Sequence, residues 1–501
     1  MNDQLDRLKH LKPGGEVGLL DGYSISTDHY IGGERVESER RFDDISPIDG
    51  SVVAQISAGG RHEAYLAVTA AEKGFEVWSH TPRQERAEIL RKIASMVEER
   101  VEVLAMVETI DNGSLLRSHV RSVMPRVAHN FRFFAEYLEE KLVYDDFETR
   151  GHQNHVTYDP AGPALLISPW NAPLMLETWK VAPALAAGNS VVLKPSEWSP
   201  LTASILADIT KEAGLPDGVF NVVQGIGEEV GPHLVGDHRI RRISFTGSVP
   251  TAKTIAQVAA RNLTPCSFEL GGKSPFIVFD DADIDLALKL ALDQYDNAGQ
   301  VCLSGTRLLI EAAIFEDFIE RFTVAAAQLR QGDPRSELVD IGPQIHPEHL
   351  DRIDGFVQRA KESGSKLVFG GEKNEDLGGL YYKPTLFIED RIQSEIFQEE
   401  VFGPVLVARA FHGIDEAIAI ANSTKFGLAG VVVTSSKETA ARVSAEVVAG
   451  TIWNNCFFVR DLGAPFGGSK SSGIGREGGQ WSFDFFCDVK NSVFAPIGWR
   501  S

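Results

Sequence analysis

The sequence predicts an α/β protein in which two mostly parallel sheets follow one another along the chain, with helices crossing between their strands. Three observations carry that prediction. From about Glu63 to Glu140, apolar residues recur at spacings of three and four, as in AYLAVTAAEKGFEVW and ERAEILRKIASMVEERVEVLAMVE, the period of helices packed on one face. After Tyr158 the rhythm becomes short apolar strands alternating with helical stretches: ALLIS at 164, SVVLK at 190, VFNVV at 219, RISF at 242 and CSFEL at 266. A second series follows, with PFIVF at 275, RLLIE at 307, VLVARAF at 405, AGVVV at 429 and TIWNN at 451.

The first 60 residues read as a surface lead-in that contains a hairpin in HYIGGERV and carries no function. Two stretches, LVYDDFETRGHQNHVTYD at 142–159 and CDVKNSVFAPIGW at 487–499, read as strands outside both sheets, suited to pairing with another subunit. The expected division is residues 1–141 and 160–269 as a cofactor unit, 270–480 as a catalytic unit, and 142–159 with 481–501 as an oligomerisation element. A length of 501 residues suits about three such units.

Composition narrows the function classes. Hydrophobic residues at 43% and charged residues at 24% sit near globular averages, so the chain buries a core rather than staying disordered. With 49 Lys+Arg against 70 Asp+Glu, the net charge of −21 argues against a surface that tracks nucleic-acid phosphates or adheres to anionic membranes. The uncharged stretch from Pro160 to Leu176 is 17 residues long and broken by four prolines, so no membrane span is expected. Four cysteines without a CxxC pair point to a reducing compartment, and the charged N-terminus lacks the apolar run of an export signal; a cytoplasmic protein is expected. No metal site is expected.

Ligands in parallel sheets bind at the carboxyl ends of the strands, so the motifs there come first. VFNVVQGIGEEVG supplies Gly225, Gly227 and Gly231 in a GxGxxxG spacing, which is not the ordinary dinucleotide fingerprint and is equally a turn. RISFTGSVPTAK runs from a strand through Gly247 into a helix, so Ser248 is either a plain N-cap or part of a phosphate site with the free N–H groups of the first turn. Cys302, in DNAGQVCLSGTR, is flanked by small and polar residues and is the one cysteine in a context suited to a nucleophile; Cys266 opens an apolar strand, and Cys456 and Cys487 neighbour phenylalanines. No histidine motif pairs with it. Glu269, at the end of CSFEL before Gly271 and Gly272, is either a desolvated base or a capping or surface carboxylate.

Taken together, PWNAP, VLKPSE, SFTGS, ELGGKSP, NAGQVC, EEVFGPV, PFGGSK and SGIGRE resemble the aldehyde dehydrogenase superfamily in order and spacing, over the chain from roughly residue 30 to the end. That resemblance implies two Rossmann-like domains with a β oligomerisation element, and NAD as cofactor bound without the GxGxxG fingerprint. It implies Cys302 as the nucleophile that forms a thiohemiacetal and then a thioester, Glu269 as the base for hydrolysis, and Asn171 with the Cys302 N–H as the oxyanion hole. Ser168, Trp170, Lys194, Glu197, Gly227, Gly231, Phe245, Gly247, Ser248, Glu400 and Phe402 are implied at the cofactor. Among them Glu197 would repel a 2′-phosphate and favour NAD over NADP. A homodimer or homotetramer is implied.

For the substrate, the alignment of MPRVAHNFRFFAE and FFVRDLGAPFGG places Arg126 and Arg460 on a tunnel otherwise lined by apolar side chains such as Trp179, Leu176 and Phe466. Either each arginine is in a structural ion pair, Arg460 with Asp461 for instance, or both receive an anionic aldehyde. These stretches resemble hydroxymuconic semialdehyde dehydrogenases, including the carboxymethyl-hydroxymuconic type of aromatic catabolism, but Gly463 stands where that group often has Arg. The rival readings are a broad aromatic or aliphatic aldehyde dehydrogenase, an acylating enzyme that passes the thioester to coenzyme A, and a non-catalytic relative.

Overall fold

Long apolar runs such as VVLK at 191–194, buried at every residue, make strands that are covered on both faces, and such strands pair in parallel under helices. The structure is a computed structural model and describes residues 17–19, 23–140, 142 and 145–499. Five parallel strands form the centre of the first sheet, in the spatial order Cys266–Leu270, Arg242–Gly247, Ala164–Ile167, Val191–Lys194, Phe220–Val222. The second sheet runs Lys366–Phe369, Thr385–Ile388, Val405–Phe411, Arg307–Glu311, Pro275–Val278, Ala429–Val433, Thr451–Asn454, parallel except at its first strand. The ten apolar strands read from the sequence are all present. Lys366–Phe369 and Thr385–Ile388 had no counterpart among them: they are four residues each, and the first carries only partial burial and a register shift.

The N-terminal hairpin is not a surface lead-in. His29–Ile31 and Glu34–Val36 turn through Gly32 and Gly33, both at positive φ (62° and 86°), as a two-residue hairpin loop requires. The hairpin extends the first sheet through an antiparallel pairing of Tyr30 with Val222, and His29 is fully buried there. At the opposite edge Gly473–Ile474 pairs with Phe268 and Glu269, so the chain returns to the first sheet within the span expected as one catalytic unit. The strand read at 487–499 is present, and the expected oligomerisation element from 481 onward also takes in a helix. Gly479–Phe486 is a helix whose Phe483 joins the main core, and only Cys487–Phe494 continues as a strand, against His152–Pro160. Asp146–Thr149 completes that separate three-stranded antiparallel sheet.

Helices cover the first sheet. Pro173–Ala187 starts on a proline, whose missing N–H costs nothing at a first turn, and stops at Gly188 with φ 96°. The helical rod from Leu116 to Glu140 contains a π turn at His119–Val123, which the regular spacing of its sequence does not announce. A π turn inserts one extra residue and re-aims the side chains before it, and such turns gather at functional sites. The described residues include no helix long and apolar enough to cross a membrane. Of the N-terminal stretch read for an export signal, MNDQLDRLKHLKPGGEVGLLDG, all but residues 17–19 lies outside the described residues.

Candidate active site

Four expected residues come from the carboxyl ends of neighbouring parallel strands: Ser168 just after one, Lys194 and Gly247 as last residues, and Glu269 next to last. The loop that carries Cys302 reaches this edge from the second unit. In it, Asn297, Ala298 and Gly299 stand in succession at φ 50°, 56° and 75°, three left-handed residues of which two are not glycine. Such backbone persists only where its surroundings hold it. Asn297 donates to the Asn171 carbonyl (2.9 Å) and accepts from Ser114 Oγ (2.6 Å), and Gln300 Oε1 accepts from the Ile345 N–H (3.0 Å). A Cβ on Gly299 would lie 2.1 Å from the Gly403 carbonyl oxygen, so no other residue fits.

The loop delivers Cys302 to the wall of a 370 Å³ cavity that Asn171, Glu269, Arg126, Arg460, Trp179, Leu176 and Phe466 also line. Every residue expected for catalysis or for the substrate therefore meets in one place. Burial pushes the Cys302 thiol up to about 12, reinforced by the Glu400 and Glu269 charges and opposed by Arg460. Glu269 is 5% exposed and neither carboxylate oxygen has a hydrogen-bond partner; burial, then the neighbouring Glu477, hold it well above the usual carboxylate range. It is not a capping or surface residue. Gly467 makes room for it, since a Cβ there would stand 2.7 Å from Glu269 Oε1. Asn171 Nδ2 donates one hydrogen to the Gln300 carbonyl (2.9 Å), which fixes the amide and leaves its second hydrogen.

Neither arginine is in an ion pair among the described residues, so the Arg460–Asp461 pairing is corrected: Asp461 instead accepts from the Gly463 N–H (2.6 Å). Arg126 donates to Asn130 Oδ1 (3.2 Å) and to the Arg460 carbonyl (3.4 Å). Both guanidinium groups lie over the Trp179 ring, at 5.7 and 5.2 Å, and Arg460 lies 3.7 Å from the Phe466 centroid. Burial, then Arg460, push Arg126 down to about 10, still protonated at neutral pH.

The expected cofactor residues form two clusters. Lys194 Nζ donates to Glu197 Oε2 (3.0 Å) and the Gly227 N–H to Glu197 Oε1 (3.4 Å), so these three converge; a Cβ on Gly227 would come within 3.8 Å of both charged groups. Glu400 Oε1 accepts from the Gly272 N–H (2.9 Å), and a Cβ on Gly271 would collide with the same carboxylate. Phe402, at φ 60°, packs on Trp170 at 5.3 Å, and its carbonyl pairs with His349 Nε2 at 2.8 Å.

Others sit differently from the expectation. Phe245 is a core residue, 5% exposed, with its ring against Phe268 and over Gly247, which is why Gly247 has no side chain. The Ser168 hydroxyl is spent on buried Glu177 (3.2 Å). Ser248 caps the helix Val249–Ala259 by accepting from the Thr251 N–H (3.3 Å), and Pro250 has no N–H, so the first turn has fewer free donors than expected. Gly231 lies inside the helix Gly227–Val235 with nothing within 4 Å of the position a Cβ would take, which leaves that face open.

A search of family models matches residues 35–492 to the aldehyde dehydrogenase family. The chain belongs to that family. Among curated members it is 38% identical to human 2-aminomuconic semialdehyde dehydrogenase, covering 93% of this chain and 97% of that one. It is 39% identical to 2-hydroxymuconic semialdehyde dehydrogenase of Pseudomonas sp. (strain CF600), over 92% and 98%. Among solved structures, HpcC from Thermus thermophilus superposes with a TM-score of 0.94 at 41% identity, over 100% of this chain and 97% of that one. Betaine aldehyde dehydrogenase of Staphylococcus aureus in complex with NAD+ superposes at 0.93 with 34% identity, over the whole of both chains.

Sequence reading missed a buried group beside Glu269. Lys180 Nζ donates to Glu477 Oε1 (2.6 Å) and to Ser244 Oγ (2.9 Å), all three nearly inaccessible, and Glu477 is the charge that, after burial itself, raises Glu269. His119, Met175, Asn130 and Phe458 also line the cavity without having been expected there. Glu477 stands in the quoted SGIGRE motif; Lys180 stands in an apolar helix and gives no such signal.

Proposed function

We propose that this chain oxidises an aldehyde bearing a carboxylate, a semialdehyde of the muconic type, to the corresponding acid with NAD and water. The observation that carries this reading is the pair of guanidinium groups, Arg126 and Arg460, on the wall of the Cys302 cavity without a carboxylate partner among the described residues. Buried cations are expensive unless paired, and a guanidinium fork matches a carboxylate bidentately. A substrate carboxylate supplies the missing partner.

The chemistry follows from placement. The Cys302 thiol gives its proton to the Glu269 carboxylate, which passes it to solvent, and the sulfur bonds to the aldehyde carbon, while Asn171 Nδ2 and the Cys302 N–H donate to the developing oxyanion; each such donor is worth about 2.7–4 kcal/mol of barrier. NAD, when bound, supplies the two-electron acceptor that turns the thiohemiacetal carbon into a thioester. Glu269 then takes a proton from water, the hydroxyl bonds to the thioester carbon, and the C–S bond breaks as that proton passes to the sulfur, leaving the acid and the thiol. Lys194 and Glu197 suit the adenine ribose hydroxyls, with the Glu197 carboxylate opposing a 2′-phosphate, and Glu400 suits the nicotinamide ribose. The buried, unpartnered Glu269 carboxyl favours water over coenzyme A as the acceptor.

Steady-state kinetics test the reading. Arg126→Ala and Arg460→Ala are each expected to raise KM for a carboxylated aldehyde by at least about tenfold, since truncating one partner of a buried charged pair costs about 2–5 kcal/mol. The KM for an uncharged aldehyde of the same length is expected to change little. An unchanged KM for the carboxylated aldehyde in both variants overturns the anionic substrate.

A further inference from the structure

Arg126 and Arg460 both lie over Trp179, and a cation on an aromatic face is held near it without a set direction in its own plane. Stacking therefore leaves open which edge of the Arg126 fork turns to the cavity. A second contact decides it. Asn130 stands four residues after Arg126 on the helix Met124–Glu140, a spacing at which side chains on a helix meet, and its Oδ1 accepts from Arg126 Nε (3.2 Å).

Asn130 is itself held at every side-chain polar atom. It is fully buried, and its Nδ2 donates to Thr178 Oγ1 (3.0 Å) and to the Met175 carbonyl (3.3 Å), both on the helix Pro173–Ala187. The Thr178 hydroxyl gives its own hydrogen to the Leu174 carbonyl (2.8 Å), so toward Asn130 it acts as an acceptor. Turning the amide over would set Oδ1 against the Met175 carbonyl and Nδ2 against the Arg126 N–H, so one orientation alone satisfies the network.

Two of the five N–H bonds of the guanidinium are used inside the protein: Nε donates to Asn130, and Nη1 donates to the Arg460 carbonyl (3.4 Å). With Nε taken, the edge formed by Nε and one Nη is closed to a bidentate partner, and the edge between Nη1 and Nη2 is left. Nη2 has no partner among the described residues and is not closed off from the space around it.

We propose that Asn130 is the positioning residue for substrate recognition. It roots Arg126 in the helix that also supplies Leu176 and Trp179 to the cavity, so that the Nη1–Nη2 edge meets the substrate carboxylate. This rests on the reading that the cavity takes a carboxylated aldehyde.

Steady-state kinetics at saturating NAD compare muconic semialdehyde with sorbaldehyde, the same unsaturated chain ending in a methyl group where the semialdehyde has its carboxylate. Asn130→Leu is expected to raise KM for muconic semialdehyde about tenfold, the worth of one hydrogen bond to a charged group, and KM for sorbaldehyde far less. In the Arg126→Ala background the same substitution is expected to add no more than about twofold, because a residue that acts through Arg126 then has nothing to position. An unchanged KM for muconic semialdehyde in Asn130→Leu overturns the proposal, and so does a rise that persists in full without Arg126. Where Asn130→Leu does not fold, Thr178→Val, which removes the hydroxyl behind Asn130 at nearly unchanged size, is expected to raise the same KM about threefold. An unchanged KM there overturns the proposal equally. Failure of the carboxylate reading looks different, and the proposal falls with it: the wild type then has similar KM for the two aldehydes, and Arg126→Ala alone leaves KM for muconic semialdehyde unchanged.

Discussion

Glu269 shows how one side chain can be set for its task by what surrounds it. Its carboxyl is buried, unpartnered and beside Glu477, so its proton is held above the usual carboxylate range. A carboxyl with a raised pKa is protonated at lower pH and becomes a base only as pH rises through the shifted value, so thioester hydrolysis should accelerate as pH rises. Glu269→Gln is expected to release one burst of NADH per site, then to turn over about 10²–10⁴-fold more slowly without that pH dependence. A variant with a full steady-state rate and an unchanged pH profile would remove Glu269 from the base's role. Cys302 stood out by its small and polar neighbours, while Glu269 and Asn171 were singled out only by the family resemblance of ELGGKSP and PWNAP; the structure brings the three to one cavity. Lys180 was not legible, because its partner Glu477 lies 297 positions away and only the folded chain joins them. His119 was equally hidden, since its place on the cavity wall depends on a π turn.

The loop that carries Cys302 is the element on which the candidate site depends most. Its three left-handed residues hold the Cys302 approach only because Asn297 and Gln300 are tied to the surrounding chain. Gly299→Ala adds a Cβ 2.1 Å from the Gly403 carbonyl oxygen at a φ of 75°, and is expected to cost at least about 1 kcal/mol of stability and most of the activity. Thermal unfolding and a titration of the reactive thiol check both; a variant with wild-type Tm and activity would show that the loop is not so constrained. Elements differed in how much their sequences disclosed. Strands such as Val191–Lys194, buried on both faces, announce themselves by continuous apolar residues. The hairpin His29–Val36 did not disclose its burial, because its edge position mixes charged residues with the buried His29 and Tyr30. Lys366–Phe369 was hidden for the opposite reason, a short, partly exposed edge with a register shift.

At the scale of the molecule, the separate sheet of Asp146–Thr149, His152–Pro160 and Cys487–Phe494 exposes Phe147, Val489, Val493 and Phe494, and leaves an open strand edge. Unpaired edges and clustered exposed apolar side chains are liabilities unless another chain covers them. A homodimer or homotetramer assembled through this sheet is our expectation. Light scattering after gel filtration should find such an oligomer, and Val489→Glu should shift it toward smaller species; a monomeric wild type would contradict it. The net charge of −21 described the exterior and hid the cavity, where both guanidinium groups lie over Trp179.

Those two guanidinium groups, without an ion-pair contact among the described residues, have a consequence for turnover. With the monoanionic semialdehyde proposed above as substrate, oxidation would give a dicarboxylate, and the product would leave the cavity carrying one more negative charge than the substrate brought in. Under that proposal a site that attracts one carboxylate would hold two more firmly, and departure of the diacid is expected to be the slow event once the thioester is hydrolysed. The diacid should therefore compete with the aldehyde at concentrations below its KM, and raising the ionic strength should relieve that inhibition while it speeds the cycle.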